Sequence, residues 1–306
     1  MGRYGVKSIK IDFDFHIFII YIYRHYYGTG TSALNWRENQ FLVYISPGKT
    51  VNAPAKIVSM DLPPPSVTFI NEITTGPAGT GQDIDLFLAP DGTTGYFRGT
   101  ISIDSAENYT LGCSIPNASL YIADELRRGM GWSNSIPIKV LFEKEANATH
   151  RETLNTYVSP PLSEILYWFL QISINHYGEL LIKTISNTIG TPLNSVLQNY
   201  CEQEHGIEPT AVDTMDGSGL SPETRITTST IAHVLYDVRK KEAWFPVFEK
   251  ALPIINDIRM KSGTIHNVLA YAGYVNSKVF SFIINNYNGD TQMMREKMWK
   301  LLDNLK

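Results

Sequence analysis

Cysteine is scarce in this chain of 306 residues: Cys113 and Cys201 are the two it has. They cannot form a disulfide framework, nor a four-ligand zinc site on their own. They could bridge one another, but two small buried thiols is the preferred reading. The seven histidines are scattered without a His-x-x-x-His, and Cys-x-x-Cys does not occur. Metal chemistry is therefore not expected. Excess positive charge is missing too: Lys plus Arg against Asp plus Glu gives 26 − 30 = −4. That leaves no basic footprint, so no nucleic-acid partner is expected. Charged residues make up 18% of the chain, fewer than in a typical soluble domain.

Long apolar runs are absent as well. The strongest, Phe15 to Tyr23, falls well short of the ~20 residues that a membrane-spanning helix needs. Arg3, Lys7 and Lys10 precede it in the manner of a signal peptide. Asp12 and Asp14 intervene, however, and Arg24-His25-Tyr26-Tyr27 stands where small residues should prepare cleavage. The run is read as a β-branched, aromatic strand, and no export signal is expected. Hydrophobic residues nonetheless make up 43% of the chain and aromatics 11%, which excludes disorder. At 34.4 kDa the chain can hold one large domain or two ordinary ones.

Two halves differ in period. Up to about residue 150, short β-rich runs dominate: QFLVYIS, VTFINEITT, DIDLFLA, YFRGTISI and YTLGCSI. Turn chemistry such as SPGK, LPPPS and PDGTTG separates them. Asn117 predicts an N-cap for one helix through LYIADELRR, ending near Gly129 and Gly131. From about residue 151, helices take over. Ser159-Pro160-Pro161 opens one with Leu162, Ile165, Leu166 and Phe169 on a face. A second carries Tyr177, Leu180, Leu181 and Ile185 and ends at Gly190. A third starts after Thr191-Pro192, with Leu193, Val196, Leu197, Tyr200 and Cys201 on one face, and a fourth covers TSTIAHVLYDVRKK. Strands are expected at IRMKSGTI, NVLAYAGYV and VFSFIINNY. A last helix would place Met294, Met298, Leu301, Leu302 and Leu305 on one core-facing stripe. Helices, then a meander, then a covering helix predict an α+β fold.

Several motifs dissolve on inspection. Gly28-Thr29-Gly30-Thr31-Ser32-Ala33 fits the G-x-G-x-x-A dinucleotide fingerprint, which needs a helix after it and an acid about 20 residues on. A turn and a strand follow instead, so nucleotide binding is kept only as a competing hypothesis. The glycines of TGPAGTGQ lack the Lys-Ser/Thr of a P-loop. Gly217-Ser218-Gly219 is not a nucleophile elbow. Ser46-Pro47-Gly48-Lys49 matches S-x-x-K by letters, yet that pair must share one helix face for lysine to take the serine proton. Pro-Gly inside it, directly after a strand, rules that out.

Three pieces resist a bland reading together: Ser173-Ile174-Asn175 between two helices, DGSGLS from Asp216 to Ser221, and Lys261-Ser262-Gly263-Thr264 on a strand. In this order they resemble the penicillin-binding D-alanyl-D-alanine carboxypeptidase/endopeptidase family, the low-molecular-mass class C with domains inserted into a transpeptidase fold. SPPLSEIL…SINHYGELLIKT is similar to its S-x-N region, and RMKSGT…AGYV to its K-T-G strand and the next one. YGTGTSALNWRENQF, INEITTGPAGTG and RGTISI…SIPNASLYIADEL are similar to its inserted domains. The resemblance covers most of residues 26 to 306. It implies β-rich inserted domains over 1–150 and the C-terminal portion of the transpeptidase-like domain over 151–306.

The resemblance also implies a chemistry. A serine of S-x-x-K attacks the carbonyl between two D-alanines of a peptidoglycan stem peptide, water cleaves the acyl-enzyme, and β-lactams acylate the same serine. No cofactor is implied, and the location is periplasmic or otherwise outside the cytoplasm. Carried over, Ser173 relays a proton to the leaving amine and Asn175 bonds the substrate amide. Lys261 faces the terminal carboxylate, with Ser262, Gly263 and Thr264 as the binding strand; the family usually has threonine where Ser262 stands. Asp216 to Ser218 would shape the fold near the cleft.

The departures carry expectations of their own. No credible S-x-x-K is found, so the chain is expected to be truncated at its N-terminus. The nucleophile segment would lie on a separate chain or be lost from the gene, leaving an apolar face open and this chain alone inactive. Ile11 to Tyr27 do not resemble what should follow GRYGVKSIK, and the stretch between ALPI and RMKSG is shorter than usual. A non-catalytic peptidoglycan-binding remnant is the alternative.

Overall fold

The computed structural model describes residues 30–306 except 33, 66, 90, 91, 134, 136, 139–155 and 157. The expectations for Phe15 to Tyr23, and for Gly28, Thr29 and Ala33, lie outside the described residues. The chain divides into two compact units, Met1–Glu152 and Thr153–Lys306. Among the described residues, no helix is long and apolar enough to cross a membrane.

The first unit is built from alternation. β1 (Gln40–Ser46) buries Phe41, Val43 and Ile45 and turns the residues between them outward. It lies between β2 (Lys56–Asp61) and β6 (Tyr109–Ser114), both antiparallel to it. A second sheet has the order β3 (Thr68–Gly76), β5 (Thr94–Ser102), β4 (Gln82–Phe87), with β3 and β5 parallel. Both sheets share one core, in which Phe41, Ile73, Leu86, Phe97 and Ile101 are almost fully buried. Each such side chain contributes about 2 kcal/mol through burial. α1 (Ala118–Gly129) closes this core with Tyr121 and Ile122, and the Asn117 side chain caps it by accepting from the Leu120 N–H at 3.0 Å. The described end of the G-x-G-x-x-A match, Gly30 to Ser32, is followed by a 3-10 turn (Arg37–Asn39) and β1, not by an α-helix.

The second unit begins with three helices: α2 (Leu162–Ile172), α3 (Asn175–Ile189) and α4 (Leu193–His205). Gly190 and Gly206 end α3 and α4 in left-handed conformation. A short pairing of β7 (Val212–Asp213) with β8 (Arg225–Ile226) follows, then α5 (Thr228–Lys241) and α6 (Phe245–Ala251). The antiparallel sheet runs β9 (Ile254–Ile255), β10 (Ile258–Ile265), β11 (Val268–Val275), β12 (Lys278–Asn285), each paired with the next. α7 (Thr291–Asp303) covers it.

Three two-residue turns set that meander's register. Asn256 and Asp257, Asn267, and Asn276 take positive φ at the hairpin positions, where a short polar side chain tolerates the left-handed region. The short stretch after ALPI is thus a tight β9–β10 hairpin. On one sheet face Met260, Leu269, Tyr271 and Phe280 pack against Met298 and Leu302 of α7.

Three sequence expectations need correction. Leu301 was assigned to the core stripe of α7 but is 59% exposed, because Met294, Met298, Leu302 and Leu305 already fill the sheet-facing side. Tyr200 is likewise exposed on α4, where Val196 and Cys201 are the buried residues. α2 buries none of its residues, and Leu162, Trp168 and Ile172 are exposed on it. Exposed Trp244 and Val247 around α6 add to this apolar surface.

Candidate active site

A left-handed residue makes the corner of the site. α2 stops at Ile172 because Ser173 adopts φ 57°, ψ 50° and breaks the helical path. Ile174 then tucks into the core at 8% exposure, and its carbonyl accepts from the Tyr177 N–H at 3.0 Å as α3 begins. Burying Ile174 leaves Ser173 outside and exposed, with half-buried Asn175 at the first position of α3. The S-x-N triplet is therefore a helix–helix corner whose middle residue is the anchor.

Lys261 reaches that corner from the sheet. It sits mid-way along β10, opposite Ala272 of β11. Its Nζ donates to Ser173 Oγ at 2.7 Å and to the Ser262 carbonyl at 2.8 Å. Burial of the ammonium pushes its pKa below the ordinary lysine value. Among the described residues no carboxylate pairs with Lys261, whose half-buried ammonium is met by a hydroxyl and a carbonyl instead of a counter-charge. The hydrogen bond from Lys261 runs to Ser173 and not to Asn175.

The rest of the β10 motif faces a groove. Gly263 and Thr264 line a cavity of about 760 Å³, together with Ser221, Thr227, Thr228 and Asn285. Lys261, Ser262, Ser173 and Asn175 are not part of its lining. A Cβ added at Gly263 would meet nothing closer than the Ala270 Cβ at 3.8 Å. Packing does not demand glycine there.

The DGSGLS loop is tied to the helix that carries Asn175. Glu179, one turn further along α3, accepts from the N–H groups of Gly217 (3.1 Å) and Ser218 (3.0 Å). Asp216 closes the loop on itself by accepting from the Gly219 and Ser221 N–H groups at 3.0 and 2.6 Å. Backbone meets backbone between Gly178 and Gly217: a Cβ on Gly178 would lie 2.5 Å from the Gly217 carbonyl oxygen, and one on Gly217 would sit closer still. Sequence reasoning missed Glu179 and Gly178. The available signal was their position, three and four residues after Asn175, on the helical face that returns toward the loop.

A second polar cluster lies elsewhere in this unit. Asp237 Oδ2 accepts from Lys241 Nζ at 2.5 Å and lies 3.0 Å from His205 Nδ1. Lys241, then His205, hold the Asp237 carboxyl down to about 2. Nearby, the Tyr274 hydroxyl donates to the Leu235 carbonyl at 2.9 Å, which ties β11 to α5. Burial raises that phenol above its ordinary pKa.

Three comparisons bear on this arrangement. The profile of the D-Ala-D-Ala carboxypeptidase 3 (S13) family matches residues 23–305. A D-alanyl-D-alanine carboxypeptidase of Actinomadura sp. (strain R39) is 25% identical over 253 residues, which is 72% of this chain and 46% of that protein. This chain thus spans about half the length of that relative. Penicillin binding protein 4 from Haemophilus influenzae has a similar fold, with TM-score 0.64 and 17% identity over 88% of this chain and 65% of that one. The same protein complexed with a novel β-lactam gives TM-score 0.62 and 19% identity over 86% of this chain and 66% of that one.

Proposed function

Because the chain belongs to the D-Ala-D-Ala carboxypeptidase 3 (S13) family, we propose that the Ser173–Lys261 corner grips the D-alanyl-D-alanine end of a peptidoglycan stem peptide for serine-type carboxypeptidase or endopeptidase chemistry. The observation that carries this is the 2.7 Å hydrogen bond joining residues 88 apart in sequence, made by a half-buried lysine that has no carboxylate partner among the described residues. An unpaired, desolvated ammonium attracts an anion, and the terminal carboxylate of a D-alanine is one. Thr264 and Ser262 would supply hydroxyls to that carboxylate, and bare Gly263 would let the peptide backbone lie against β10. Asn175 would bond the substrate amide, and Ser173 would hand a proton to the departing amine. β-Lactams, which carry a carboxylate beside a strained amide, would enter the same site. Peptidoglycan as substrate puts the site of action outside the cytoplasm.

Bond cleavage needs an attacking oxygen as well. Removing the nucleophile of a serine protease costs about 10⁶ in turnover, whereas a general acid contributes roughly 10² to 10⁴. The grip residues alone therefore bind without turning over, and an S-x-x-K serine from a segment other than these 306 residues would be needed to complete the reaction. One observation favours the second reading, a non-catalytic peptidoglycan binder. The letter match at Ser46 to Lys49 leaves β1 for a turn, where the Gly48 N–H bonds Thr75 Oγ1 at 2.7 Å, so that lysine shares no helix face with Ser46.

Calorimetric titration with an acyl-D-Ala-D-Ala peptide and its L,L isomer tests both readings, with released D-alanine assayed in parallel. A preference for the D,D peptide of at least about tenfold, equivalent to 1.4 kcal/mol, supports the grip. Release of D-alanine then selects the enzyme, and its absence the binder. Equal affinity for the two isomers overturns both.

A further inference from the structure

The outer face of the β3–β5–β4 sheet carries side chains that neither the core nor the proposed grip uses. Those strands turn Phe69, Leu86 and Phe97 inward, where the two phenylalanine rings meet 5.4 Å apart. Register then sets two rows on the opposite face. Ile70, Tyr96 and Phe87 stand side by side across the three strands, and Glu72, Arg98 and Asp85 form the next row. Ile70 is 39% exposed, and both rings are half-buried. The Arg98 guanidinium lies 5.0 Å from the Tyr96 ring centre and 5.6 Å from that of Phe87, while its Nε donates to Glu72. Two rings and a carboxylate thus fix one cation, and its terminal N–H groups remain as donors for a ligand.

An exposed apolar row rimmed by oriented donors and acceptors has the make-up of a binding surface. Charge narrows the ligand. With Asp83, this face sets three carboxylates against one guanidinium, which repels nucleic acid and acidic lipid. A neutral amphipathic ligand fits. A pyranose ring offers a C–H face to an aromatic ring, hydroxyls to carboxylates, and, when N-acetylated, a carbonyl to a guanidinium. Two strand spacings of about 4.8 Å, from Ile70 to Phe87, match the length of two linked sugars. We propose that this face binds a glycan of β-1,4-linked N-acetylated hexosamines, the sugar strand of peptidoglycan. Tyr96 and Phe87 carry the sugar faces, Arg98 donates to an acetamido carbonyl, and Asp85 accepts from a hydroxyl. Naming peptidoglycan as the source rests on the function proposed above; the sugar chemistry does not.

The test is calorimetric titration of the full chain with chitotetraose, and with cellotetraose as the counterpart that lacks acetamido groups. Chitotetraose should bind at least about tenfold more tightly. Tyr96→Ala and Arg98→Met should each weaken it by at least about tenfold, with the circular dichroism spectrum unchanged because the altered side chains lie on the face away from the core. Arg98→Met keeps an apolar stem over the rings and removes only the donors, so it reads ligand contact even where Tyr96→Ala loosens the sheet. Trp168→Ala, which removes an exposed aromatic of the second unit, should leave the affinity as it was. No chitotetraose binding, equal affinity for the two glycans, affinity retained in Tyr96→Ala or Arg98→Met, or an equal loss in Trp168→Ala overturns the proposal. Chitotetraose contains no peptide and the D,D peptide no sugar, so failure of one result leaves the other standing.

Discussion

Two lysines of the second unit differ in what surrounds them. Lys241 Nζ lies on a carboxylate, at the solvent edge of α5, and its partner Asp237 also lies against buried His205. That cluster is charge-balanced and joins α4 to α5. Lys261 has a hydroxyl and a carbonyl for company and is the more buried of the two. A protein that desolvates a cation without a counter-charge gives up stability at that spot. The balanced lysine fastens the fold; the unbalanced one is, on the reading proposed above, the one left for a ligand.

The sharpest way to break this contrast is to neutralise each lysine in turn. Lys261→Met should weaken binding of the acyl-D-Ala-D-Ala peptide by at least about tenfold, while Lys241→Met leaves that affinity unchanged. Equal losses in the two variants would erase the distinction. Next in size is Gly217→Ala, which drives a Cβ into the Gly178 backbone. It should cost about 3 kcal/mol in denaturant unfolding, with the D,D-peptide affinity falling too, although no charge is touched.

pH separates the clusters by window. Asp237 is depressed in the fold, so the stability it lends is complete above the unfolded carboxylate pKa and is lost as pH falls toward about 2. Lys261 is also depressed, but from an alkaline value. The unfolded chain therefore binds its proton more readily, and stability rises with pH as the unfolded pKa of lysine is approached. Thermal melts should show Asp237→Asn flattening the acid limb and Lys261→Met flattening the alkaline one. The smallest effect is Ser173→Gly, which should gain up to about 1 kcal/mol by relieving the left-handed corner. A loss instead would mean that the bond to Lys261 stabilises the native state.

Where local chemistry decides structure, the sequence was legible. Asn117 capped its helix as expected, α5 began at Thr228 and ended at Lys241, and the three long strands of the meander lie where their runs put them. β2 went unread because its exposed face breaks the alternation, and α6 because one short helical run carries too little period. Leu301 was misassigned because helical spacing says which residues share a stripe but not how wide the facing sheet is. Ser173, Asn175 and Lys261 stood out through motif order alone. That Lys261 bonds Ser173 while Glu179 holds the DGSGLS loop depends on how helices seat against a sheet, which no local pattern encodes.

The bare apolar side of α2 and α6 has a practical corollary for work at the bench. Trp168 and Trp244 both stand in water there, beside Leu162, Ile172 and Val247. A patch of that kind binds hydrophobic dyes and sticks molecules together well below any melting temperature. Concentrated samples should cloud through colloidal association of folded chains, and the two indoles give a built-in fluorescent gauge of when that begins.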